Sequence, residues 1–113
     1  MTTDEYIAAV VELIASTVEP DPVVIEFSQF VVDRIDGPGR EYELDEKTQA
    51  FEELSAAEVL MNVSEEVADV VAYAEQLRQR APALSQNARR LVVLAFTMSH
   101  VLAACATVLE EGH

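Results

Sequence analysis

From residue 91 to residue 109 the chain carries no formal charge; Arg89-Arg90 precede this run and Glu110-Glu111 follow it. About 20 apolar residues are enough to span a bilayer as a helix. The same run also suits the centre of a soluble bundle or an oligomer interface, because a helix apolar all round must be covered all round. Thr97, Ser99, His100 and Thr107 lower its hydrophobicity, and the remaining helices need partners for their own apolar faces. A buried bundle helix, with no membrane involved, is the expected reading. Ala95, Ser99, Ala103 and Thr107 stand at i,i+4 spacing and form a small-residue ridge that lets another helix approach closely.

The rest of the chain also reads as helix. Thr3 precedes a periodic run that ends before Pro20, and Asp21 caps a second run in which Pro22 takes the first turn. That second run stops at Gly37-Pro38-Gly39. A third pattern opens at Asp45 and continues to about Arg80, where Pro82 ends it; Ser85 then caps a last helix to about Glu110. The Val-rich residues 23–25 could form a strand, but no Asn-Gly or Asp-Gly turn joins two alternating runs. The expectation is a single all-α domain, residues 1–113, built as a bundle of four or five helices.

In the third segment Ala56, Leu60, Val63, Val67, Val70, Ala74 and Leu77 alternate spacings of four and three, an a/d stripe for shallow-angle packing. Residues 62–64 could bend or break this helix. The first, second and last helices carry apolar residues on more than one side, more than one small core can cover. Self-association into a homodimer or higher homo-oligomer is therefore expected.

Charge narrows the partners. Twenty-one acids against seven bases give a formal charge of -14, which excludes a nucleic-acid backbone, since that contact needs clustered Lys and Arg. Half the residues are apolar, so the acidity does not imply disorder. It fits divalent cations, a basic protein partner, or simply a solvated surface. Cys105, the sole cysteine, permits no intramolecular disulfide, and in A-A-C-A-T-V-L burial as a small hydrophobe is expected. The opening M-T-T-D-E-Y lacks a basic secretory region, so a cytoplasmic setting is the default expectation.

Chemistry is hinted at in S-E-E-V-A-D-V-V-A-Y-A-E-Q, residues 64–76. Ser64 can cap a helix start, and Glu65 and Glu66 suit its positive N-terminus. Glu66 and Asp69 fall one turn apart on one side, and two adjacent carboxylates repel unless a cation lies between them. Glu58, Asn62 and Tyr73 extend this polar strip, and Glu65 leans toward Asp69. The second helix has its own line, Glu26, Gln29 and Asp33.

The run Glu66-Val-Ala-Asp69-Val-Val-Ala-Tyr73 resembles the E-x-x-D half of the MazG-like all-α nucleoside-triphosphate pyrophosphohydrolases. These are phage and bacterial house-cleaning enzymes that cut NTP or dNTP to a monophosphate and pyrophosphate. The order of parts is similar across residues 26–80: an acidic helix, the loop G-P-G-R-E-Y, then a helix carrying E-E-V-A-D. The resemblance implies a MazG-like fold, a nucleotide substrate and a Mg²⁺ or Mn²⁺ cofactor. It implies metal ligands Glu26, Glu66 and Asp69, with Glu65, Glu66 and Asp69 as the catalytic carboxylates. The ion would neutralise phosphate charge while a water attacks after giving a proton to a carboxylate.

The chain departs from that pattern where the family has a second acidic pair, E-x-x-E. Here it reads Glu26-Phe-Ser-Gln29, with Asp33 a turn later, and Gln29 offers a neutral oxygen. Arg78, Arg80, Arg89 and Arg90 cluster around residues 81–85, and Arg78 and Arg80 could reach a phosphate; equally, they could complement helix ends and acids. Tyr73 could stack on a base or simply pack. His100 is expected as a hydrogen-bonded core group rather than a ligand. The alternative function is a non-catalytic acidic helical module that engages a protein partner.

Overall fold

Helix ends in this protein are set by short polar side chains and prolines, and the computed structural model shows each device. It describes residues 2–37 and 53–112. Helix α1, Thr3–Thr17, starts where the Thr2 hydroxyl accepts from the Glu5 amide at 3.1 Å. The cap is thus one residue ahead of Thr3, which is itself helical and buried. Helix α2, Pro22–Asp36, is capped by Asp21, whose carboxylate accepts from the Val24 amide at 3.0 Å. Pro22 costs nothing there, since its missing N–H lies among the donors that a first turn leaves without intrahelical partners. Gly37 closes the helix by donating its N–H to Asp33 O.

Helix α3, Ala56–Arg80, has a full capping box: Ser55 Oγ accepts from the Glu58 amide at 3.1 Å, and Glu58 Oε1 accepts from the Ser55 amide at 3.2 Å. The start expected at Asp45 lies outside the described residues. Ser64 does not cap a helix start. It lies inside an unbroken α3, where its hydroxyl donates to Leu60 O at 3.0 Å. That back-bond satisfies the hydroxyl locally, so residues 62–64 neither bend the chain out of helix nor break it.

Pro82–Leu84 form a single 3₁₀ turn, and helix α4, Ser85–Glu111, follows. Ser85 is likewise inside the helix, with its hydroxyl donating to Pro82 O, and α4 has no side-chain cap at its start. The described residues thus hold four α-helices and no strand.

The chain divides into two compact units, Met1–Glu53 and Leu54–His113. In the first, α1 packs on α2 through Ile14, Val18, Val24 and Val32, around a hollow of about 320 Å³. Val23, Ile25, Phe27 and Phe30 remain exposed.

In the second unit α3 and α4 form an antiparallel hairpin, paired along their length across the four residues that join them. Its seam is narrow. Ala74 is 0 % exposed, Ala88 and Ala95 3 %, and Val67 8 %. Leu60, Leu91, Leu102 and Leu109 are half-buried around them. The spacing is seven on both sides, with 60, 67 and 74 on α3 and 88, 95, 102 and 109 on α4, the repeat that keeps one line of each helix on the contact.

One line of the expected a/d stripe is therefore inside. The other is not: Ala56, Val63, Val70 and Leu77 are exposed, because α4 covers one side of α3 and no other helix of this unit covers the next. The expected small-residue ridge enters the α3–α4 seam only at its first member. Ala95 is in the seam, but Ser99, Ala103 and Thr107 are exposed, since i,i+4 steps drift around a helix while the contact follows a repeat of seven. Nor is α4 the buried centre of this chain. It meets the length and composition criterion for a membrane span, yet little of it is covered.

Candidate carboxylate site

Val67 points at α4, and this sets the direction of its neighbours. At 100° per residue, Glu58, Glu65 and Asp69 lie on the side of α3 turned away from α4, with Glu66 and Tyr73 flanking them. All five are exposed. Glu66 and Asp69 sit on successive turns of an unbroken helix. Among the described residues neither side chain makes a hydrogen bond or an ion pair, and the same holds for the side chain of Glu65. Also among the described residues, no three His, Cys, Asp or Glu side chains converge as a metal-holding group.

Glu26 is exposed on α2, in the other unit. Beside it the Gln29 amide donates to Asp33 Oδ1 at 2.8 Å, so these two members of the acidic line satisfy each other. The loop G-P-G-R-E-Y lies, beyond Gly37, outside the described residues.

The four arginines near the helical turn differ in their engagement. Arg78 forks onto Glu75, Nη2 to Oε1 at 2.7 Å and Nε to Oε2 at 2.8 Å. Arg80 donates to the side-chain oxygen of Gln76 at 3.0 Å. Arg89 and Arg90 are exposed and make no such bond among the described residues. A phosphate would thus compete with Glu75 for Arg78, and with a neutral amide for Arg80.

Two expectations about α4 are overturned. His100 is exposed, not a core group; its ring packs edge-on against Phe96 with centroids 4.7 Å apart and planes at 88°. Cys105 is exposed as well. Both lie off the 88–95–102–109 line, and α3 is the sole described helix covering α4 in this unit. Cys105 instead lines a hollow of about 620 Å³ with Val59, Val63, Val101 and Val108.

Across the hairpin runs a larger apolar trough of about 810 Å³, floored by Val67 and Ala95 and walled by Met61, Val71, Phe96 and Leu102. Sequence spacing alone does not single it out. Its signal is the second apolar line on each helix, Ala57, Met61, Ala68 beside the α3 seam and Val92, Phe96, Ala103 beside the α4 seam.

No family model matches the chain, and no curated protein or solved structure matches it either.

Proposed function

We propose that this protein is a Mg²⁺- or Mn²⁺-dependent nucleoside triphosphate pyrophosphohydrolase of MazG-like type. The observation that supports the reading is the pair Glu66 and Asp69, exposed one turn apart with their oxygens unengaged among the described residues. Mg²⁺ is commonly held by one or two carboxylates, with water and substrate phosphate completing its shell. Glu66 and Asp69 fit that mode without a third converging acid. When bound, the ion supplies neutralisation of phosphate charge.

The chain's own residues have distinct roles in this reading. Glu66 and Asp69 bind, and Glu65, adjacent and exposed, accepts the proton of the attacking water. Tyr73, 64 % exposed on the same strip, offers a face on which a base can stack. Arg80, tied to a neutral amide alone, is the freer phosphate contact, and Arg78 must first leave Glu75.

A second reading, a non-catalytic acidic helical module, is favoured by the hairpin's wide apolar exposure, with Val93, Leu94, Phe96, Val101 and Val108 all uncovered. Large exposed apolar surfaces mark interaction sites. A screen of NTPs and dNTPs for pyrophosphate release, with Mg²⁺ and with Mn²⁺, separates the two. Release that Asp69→Asn abolishes supports the hydrolase. No release from any nucleotide by the folded protein leaves the interaction module.

A further inference from the structure

We draw no further inference here: the strongest candidate, the apolar trough that runs along the α3–α4 hairpin over Val67 and Ala95, carries nothing because nothing in the structure shows what covers it.

Discussion

Arg78 grips Glu75 with two parallel hydrogen bonds, 2.7 and 2.8 Å long, one turn from the end of α3. The Arg78 guanidinium, helped by the Gln79 amide, holds the Glu75 carboxyl from its ordinary 4.5 down to about 2. A carboxylate depressed in the folded state contributes stability that is fully present above its ordinary value. That contribution fades as pH falls from about 4.5 through about 2. Both side chains are solvent-exposed, so the effect on global stability is small and salt-sensitive. Carboxyl NMR titration should find the Glu75 midpoint well below that of exposed glutamates. Arg78→Ala should raise it most of the way back, Gln79 retaining the remainder; an unmoved midpoint would show that the fork does not persist in solution.

Ala74 is sealed against α4 while Ala72, two residues earlier, faces solvent. Close approach of the two helices depends on small side chains at 74, 88 and 95. Ala74→Leu should therefore overpack the seam and cost about 1–3 kcal/mol. Ala72→Leu should change stability by less than about 0.5 kcal/mol. Urea unfolding of the two variants measures the contrast, and equal effects would mean that the seam is looser than the burial implies.

Ser55 and Ser64 belong to the same helix but differ in consequence. Ser55→Ala removes one half of a capping box and should cost about 1 kcal/mol. Ser64→Ala loses a hydroxyl bonded back to Leu60 O and should be near neutral or slightly stabilising. Thermal melts of both variants check this; a larger loss at Ser64 would move the functional helix start to that residue.

These serines also show where the sequence is legible. Asp21-Pro22 and Gly37 mark the ends of α2 by local chemistry, and the structure agrees. At Ser64, Glu65 and Glu66 the same local chemistry fits either a first turn or an interior turn, and Ser55 with Glu58 satisfies it better upstream. The a/d stripe identifies two apolar lines on α3, but not that Val67 and Ala74 are covered while Val63 and Val70 are bare. That choice depends on how many partners are present. On α4, apolar on every side, pattern carries no phase at all, and so Cys105 and His100 lie outside rather than inside. The Glu66/Asp69 spacing is local and readable; convergence of Glu26 with it depends on tertiary arrangement, which spacing does not encode.

The proposed metal role of Glu66 and Asp69 is tested most directly by thermal melts of the wild type and Asp69→Asn, each in EDTA and in excess Mg²⁺. An ion bound to the folded state alone must raise the melting temperature. Mg²⁺ should therefore stabilise the wild type and leave Asp69→Asn unmoved. In EDTA the variant should be as stable as the wild type or slightly more so, because two like charges are no longer held one turn apart. Identical Mg²⁺ shifts in the two proteins, or none in either, would contradict the metal site and remove the main support for the hydrolase.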